Sequence, residues 1–189
     1  ELSDNDKVVD IGANDCTMLS YFNNNLRRVG VEPAENINWD HVDSSINVVN
    51  DYFSFSALEP VIGKEKVKIF TSCAMFYDLD DPNSFVKDIK KSLADDGIWC
   101  IQLSYLPLML ENINFYDICN EHLEYYSLHV LNNLMNRNGL KIVDSSTNNV
   151  NGGSARVFIR HSEYEQSETE ELLQLYSKEV DLDLYNPQT

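Results

Sequence analysis

The sequence predicts an α/β domain: a mostly parallel sheet with helices on both faces. Three observations carry that prediction. Short Val- and Ile-rich runs alternate with segments of helical periodicity, the pattern of strand–helix–strand crossovers. The first such run ends in a glycine just before a helical segment, as strands do at a sheet edge that binds ligands. The last two runs are separated only by the turn-rich stretch 148–153, which joins them as a hairpin.

Taken in order, residues 7–12 (KVVDIG) form a short apolar strand, and 17–26 (TMLSYFNNNL) a helix with Met18, Phe22 and Leu26 on one face. A second strand at 29–32, a short helix at 34–41, a third strand at 46–49 and a fourth at 66–72 follow. Asp81-Pro82 opens the next helix, because proline's fixed φ suits a first turn and the Asp side chain accepts a free N–H. That helix is expected to reach residue 94 and stop at Asp95-Asp96-Gly97, with Gly97 as a left-handed cap. Residues 98–105 (IWCIQLSY) form a long buried strand, and Pro107 marks a loop that restarts as a short helix. Residues 126–137 form a helix with Leu128, Leu131, Leu134 and Met135 at helical spacing, ending at Asn138-Gly139. Strands at 140–145 and 154–160 close the pattern.

Charge excludes some functions. The 189 residues carry 31 acids against 14 basic side chains, a net charge of −17, which disfavours nucleic acid and anionic membranes as partners. A hydrophobic content of 43% excludes a disordered acidic polymer. No apolar run approaches a membrane span, and the polar start lacks the basic and apolar regions of an export signal. Cys16, Cys73, Cys100 and Cys119 are scattered without a CxxC pair, so reduced thiols, no metal cluster and a cytoplasmic location are expected. Two units are read: a domain over 1–161 and an acidic helical extension over 162–189. The extension holds eight acids against Lys178, and Leu172, Leu173, Tyr176 and Val180 form its apolar stripe.

The most informative stretch is 8–16 (VVDIGANDC). Dinucleotide binding would need G-x-G-x-x-G so that the backbone can approach a pyrophosphate, and only Gly12 is supplied. The G-x-x-x-x-G-K-[ST] loop of nucleotide phosphates is also missing. An adenosine ligand without a pyrophosphate fits better, and S-adenosylmethionine is the common one. Glu32 ends the second strand 20 residues beyond Gly12, where a carboxylate can take both ribose hydroxyls.

These residues bring a resemblance into view. VVDIGANDCTML (8–19), GVEPAENI (30–37), MFYDLDDPNSFVKDIKKSLADDGIW (75–99), FYDICNEHLEYYSL (115–128) and NGGSARVFIR (151–160) resemble class I S-adenosylmethionine-dependent methyltransferases. Among these they are most similar to the C-methyltransferases of nucleotide-linked keto-sugars. The resemblance implies a Rossmann-like seven-stranded sheet with its last strand antiparallel, and the central domain of a longer chain. It implies that Asp10, Gly12 and Asn14 surround the methionyl part of the cofactor and that Glu32 holds the ribose. Asp51, Tyr52 and Phe53 would adjoin the adenine, and Ser72, Cys73 and Met75 the sulfonium; Tyr52, Phe53 and Met75 can equally be read as core. Cys16 stands where the family usually has Gly, and Asn120 where it commonly has His.

Methylation at carbon needs a base that removes a proton alpha to a carbonyl, and histidine does this most often. In the polar segment 120–127, His122 is the candidate base, Glu121 orients it or acts alongside, and Tyr125 or Tyr126 steadies the enolate oxygen. Read without the resemblance, His122 packs the helix start and both tyrosines are half-buried core. The E-H-L-x-Y-Y-S match favours the catalytic reading for His122 and Glu121 but not for the tyrosines. His41, His129 and His161 read as surface or packing residues. The expected partners are a small-molecule acceptor, such as a nucleotide sugar, and the other domains of a longer parent chain. Two rivals stand beside this reading: methylation of oxygen or nitrogen on another small molecule, and a non-catalytic module that binds the cofactor or a partner chain.

Overall fold

A computed structural model describes residues 2–186. The chain runs β1 (Lys7–Ile11), α1 (Thr17–Ser20), β2 (Arg27–Val31), β3 (Ile46–Val49), α2 (Phe55–Ile62), β4 (Val67–Cys73) and α3 (Pro82–Ser92). It continues as β5 (Leu93–Ser104), α4 (Leu106–Asn112), α5 (Leu128–Arg137), β6 (Leu140–Asn148), β7 (Ser154–His161) and α6 (Glu170–Asp181). The seven strands pair in the order β3-β2-β1-β4-β5-β7-β6. β1 to β5 are parallel, and β7 runs antiparallel to both β5 and β6, as the closing hairpin requires.

β1 lies at the centre and all five of its residues are buried, so its side chains read as a near-continuous apolar run rather than an alternation. One face carries Val9, Ile11, Phe70, Trp99 and Ile101, covered by Leu58 and Ile62 of α2, Phe85 and Ile89 of α3, Leu128 and Leu131 of α5 and Leu172 of α6. On the other face Val8 and Ile46 meet Ala13, Cys16 and Leu19 around α1. No helix among the described residues is long and apolar enough to cross a membrane.

Several elements differ from their sequence expectation. The helix expected over 17–26 is the single turn α1, because the chain turns again at Asn23, whose carbonyl accepts the Leu26 N–H at 3.1 Å. Within 34–41 only Trp39–His41 coils, as a 3₁₀ turn capped by Asn38. α2 was not foreseen, although Ser54 caps it by accepting the Ala57 N–H; Pro60 inside it masks the helical pattern. α3 ends at Ser92, and Gly97 lies within β5 without a positive φ. Gly97 serves close packing: a Cβ there would stand 2.7 Å from Leu93 Cδ1 and 2.9 Å from the Ala94 carbonyl. α5 begins at Leu128, capped by Ser127.

α6 packs on β6 and α5. Of its expected stripe, Leu172 is buried and Tyr176 half-buried, while Leu173 and Val180 are exposed. The residue on the inner face that composition does not suggest is Glu179, which is fully buried. Its Oε1 accepts the Leu128 N–H at 2.6 Å and the Tyr105 hydroxyl at 2.8 Å, and its Oε2 accepts the His129 N–H at 2.9 Å. The carboxylate thus satisfies free donors of the first turn of α5 and sits where the helix dipole favours negative charge. Burial, then Glu179 itself, push the Tyr105 phenol far above its ordinary range, so it stays a donor. Glu179→Ala leaves two buried donors and the part-buried His129 N–H unpaired and is expected to lower stability by about 3–5 kcal/mol, each buried orphan costing about 1–3. Urea denaturation checks this, with exposed Glu171→Ala expected within about 0.5 kcal/mol of the parent.

Candidate active site

The loop after β1 is built by close approach. Gly12 has φ +74°, and its N–H and that of Ala13 both donate to the Val31 carbonyl, at 2.9 and 3.2 Å. The positive φ makes any side chain on Gly12 strained, and a Cβ there would press on Met75, 3.1 Å from its Cγ. Cys16, at φ 62°, also adopts the left-handed conformation that glycine favours. Its thiol fills the space over Gly30, where an added Cβ would come within 2.6 Å of Sγ.

Glu32 leaves the end of β2 and closes the loop from the other side. Its Oε2 accepts the Asn14 N–H and its Oε1 the Ala34 N–H, both at 2.9 Å. Each oxygen keeps lone-pair capacity for a further donor. Around it opens a cleft of ≈ 690 Å³ at the carboxyl edge of the sheet. Of the expected residues Gly12, Asn14, Glu32, Tyr52, Phe53, Cys73 and Met75 line it. Phe53 and Met75 serve both cleft and core, with the Phe53 ring 4.8 Å from that of Phe85, whereas Tyr52 is 78% exposed at the rim.

Asp10, Asp51 and Ser72 are not brought into the cleft wall. Ser72 points to the opposite face of β4 from Cys73, where its hydroxyl accepts the Trp99 Nε1–H at 3.1 Å. Asp51 is exposed and accepts the Tyr52 N–H. Asp10 lies buried on the central strand, accepting the Thr71 hydroxyl at 2.7 Å. Burial pushes its carboxyl up to about 6; the Thr71 hydrogen bond opposes this, and the charge of Glu32 adds to it. Burial, then Asp10, Asp15 and Glu32, push the Cys16 thiol up to about 11.

The second half of the site comes from segments with little regular structure. After β4 the chain turns through Ala74, at φ 53°, into the 3₁₀ turn Phe76–Asp78. The Tyr77 carbonyl accepts the N–H groups of Leu123 and Glu124, at 3.0 and 3.1 Å, which ties the 121–125 stretch to the cleft wall. The His122 ring lies against the Tyr77 ring at 4.2 Å, with Tyr125 6.4 Å away. Glu121 is exposed. Tyr125 faces an apolar groove with Met109, Ile113 and Phe115. Tyr126 is a core ring 5.4 Å from Phe76, its buried hydroxyl unpartnered. The tyrosines thus pack away from the cleft, and none of the four catalytic candidates is among the residues that line it; His122 lies against Tyr77, next to the lining residue Asp78.

Sequence reasoning passed over Tyr77, Asp78, Leu79 and Phe85. Asp78, Leu79 and Phe85 line the cleft, and Tyr77 carries the His122 segment. The usable signal was Phe76-Tyr77-Asp78 directly after the fourth strand, since open α/β sheets bind ligands at such strand ends.

Comparison with known proteins agrees with this architecture. The family profile described as a methyltransferase domain matches residues 1–145. The C-methyltransferase NovU of Streptomyces niveus is 31% identical over 159 residues, which are 83% of this chain but 38% of NovU, so the chain spans well under half of that relative. A methyltransferase solved in complex with the Haloferax volcanii activator Trm112 superposes with a TM-score of 0.68 at 14% identity, over 85% of this chain and 84% of that one. The plantazolicin methyltransferase BpumL, solved with a triazolic substrate analogue and SAH, gives 0.63 at 10% identity, over 84% and 77%. Both show a shared fold. With a family profile covering most of its length, and the seven-strand sheet of those structures beneath it, this chain belongs to the methyltransferase domain family.

Proposed function

We propose that this chain is the S-adenosylmethionine-dependent catalytic domain of an enzyme that methylates a carbon of a small-molecule acceptor, with His122 as general base. The observation that carries the reading is the Glu32 carboxylate, fixed by two backbone N–H groups opposite a loop whose Gly12 holds a positive φ close against Met75. The residues present fit the cofactor. Glu32 would take the ribose hydroxyls, Phe53, Leu79 and Ile37 offer an apolar wall for adenine, and Asp10 beneath the loop, ionised only above about pH 6, would gain from a cationic ligand. When bound, S-adenosylmethionine supplies a methyl group on a positively charged sulfur.

The chain's own part is to orient and to move a proton. Alignment of two reacting groups supplies much of the acceleration in such a transfer. His122 takes the proton alpha to the acceptor's carbonyl, and the carbon keeps the electron pair. A nucleotide-linked keto-sugar, the acceptor implied by the resemblance, has such a carbonyl. The name of the NovU relative, a C-methyltransferase, supports carbon as the methylated atom.

Titration calorimetry with S-adenosylhomocysteine tests the cofactor reading. Glu32→Ala is expected to weaken binding by about 10- to 100-fold, since a hydrogen bond to a charged group contributes about 1.5–3 kcal/mol. His122→Gln should bind as the parent does, while methyl transfer to a keto-sugar nucleotide falls by about 10²–10⁴-fold. Absence of binding by the parent chain sinks the reading.

Asp10 sets a pH dependence. Its carboxyl is raised in the fold, so the protonated form is favoured there. That stabilisation is present below the unfolded value near 4 and is lost as pH rises through about 6. Asp10→Asn is therefore expected to make the ligand-free domain more stable at pH 7, by about 2–3 kcal/mol at most, as seen in thermal melts. A bound cation favours ionised Asp10, so S-adenosylmethionine should bind more tightly as pH rises from 5 to 7, and Asp10→Asn should flatten that slope.

A further inference from the structure

The Lys and Arg side chains are spread unevenly over the sheet. Those of β1, β2, β4 and β6 stand within the first two residues of each strand, and those of α3 and α5 from the middle of each helix onward, so both sets lie toward the amino edge. Lys64 and Lys66 directly precede β4, and the Arg160 guanidinium donates to the Asp96 and Gly97 carbonyls near that same edge, at 2.8 and 3.2 Å. At the carboxyl edge, where the cleft opens, Lys178 is paired with Glu111 at 2.8 Å. Arg156 is the cation that remains. It is exposed, and among the described residues its side chain has no hydrogen bond and no ion pair.

Strand register ties Arg156 to the cleft. Cys73, which lines it, stands level with Gln102 of β5, and Gln102 with Arg156 of β7. Residues level with one another across a sheet share a face, so the three form one row, with Arg156 two strand spacings, about 10 Å, from Cys73. The row has little apolar cover: the cluster around α1 extends to Ile69 of β4 and no further across the sheet. The Gln102 side chain likewise has no hydrogen-bond partner among the described residues. Burial, then Asp10, push the Cys73 thiol up, and the Arg156 charge draws it back.

The cleft itself offers an anion nothing. No Lys, Arg or His lines it, and its charged lining residues are the acids Glu32 and Asp78. A phosphate carried by the acceptor meets a free cation only by extending out of the cleft along the row from Cys73 to Arg156. We propose that Arg156 is the anion-binding residue of the acceptor site: its guanidinium takes a phosphate of the acceptor through two parallel N–H···O bonds, and the Gln102 amide donates a third. Arginine suits this task because its donors form a planar fork that matches phosphate oxygens. The proposal rests on the small-molecule acceptor reading given above and adds that the acceptor is anionic; its test needs no methyl transfer.

The probe is inorganic pyrophosphate, titrated into the full chain and followed by the arginine Nε–H signals in ¹H–¹⁵N spectra, with Arg156→Ala assigning the signal. Pyrophosphate is expected to move the Arg156 signal, and Arg156→Ala to weaken its binding by about 10-fold or more, through loss of charge-assisted hydrogen bonds. Because Arg156 is exposed, the variant should melt at the temperature of the parent. Arg156→Lys should restore part of the affinity, since it keeps the charge but not the fork. Arg137→Ala removes an equal charge from the opposite edge and should change binding by less than about twofold, because exposed charges that far apart are screened. In turnover, Arg156→Ala should raise KM for a keto-sugar nucleotide by about 10- to 100-fold with little change in kcat, the mark of a group that binds ground and transition states alike. Pyrophosphate binding that Arg156→Ala leaves unchanged, or that Arg137→Ala weakens as much, overturns the proposal, as does a parent chain that binds none. A parent chain that binds pyrophosphate through Arg156 but does not bind S-adenosylhomocysteine overturns the methyltransferase reading and leaves the anion site standing.

Discussion

The chain leaves β1 toward β2 on one side and returns to β4 on the other, and the site depends on that single reversal. Parallel strands send their connections out at the same edge, so the loops after β1 and β4 diverge and leave a crevice between them. Every chemical group of the site lies along it. Gly12 and Asn14 come from the first loop, Glu32 from the end of β2, and Met75, Tyr77 and Asp78 from the loop after β4. The central strand is buried on both faces, so the floor of the crevice cannot relax. Small local requirements follow from it, such as a glycine pressed against Met75 and a cysteine held in a glycine conformation over Gly30.

That rigidity explains which parts could be read from sequence. The strands were legible because burial on both faces leaves a run of Val and Ile with little polar interruption. Glu32 was legible as a cleft residue because it ends a strand at the edge where open α/β sheets bind ligands, and the structure puts it in the cleft. Helices were harder. Pro60 conceals α2, and 17–26 has helical spacing that the turn at Asn23 cuts short. Gly97 looks like a cap because it follows a helix, but what matters there is the closeness of Leu93 and the Ala94 carbonyl.

Neighbouring residues posed a different problem. Extended chain sends successive side chains to opposite sides, so Ser72 and Cys73 cannot share a surface, and composition does not say which one meets the cleft. The same holds for Tyr125 and Tyr126, one facing an apolar groove and the other packed on Phe76. The stretch from 115 to 127 has only a 3₁₀ turn of its own and takes its place from the Tyr77 carbonyl and from a bridge between Tyr105 and Tyr126. Such placement is a tertiary property, which is why Tyr77 and Asp78 emerge only once the chain is folded.

The buried carboxylate of Glu179 has a mechanical consequence. It grips the first turn of α5 and the hydroxyl of Tyr105 together, and the segment that ends at Ser127 runs directly into that turn. α6 is thereby joined to the start of α5 and to Tyr105, although none of its residues lines the cleft. A tilt of α6 would therefore be met first at the start of α5 and at Tyr105, where β5 ends.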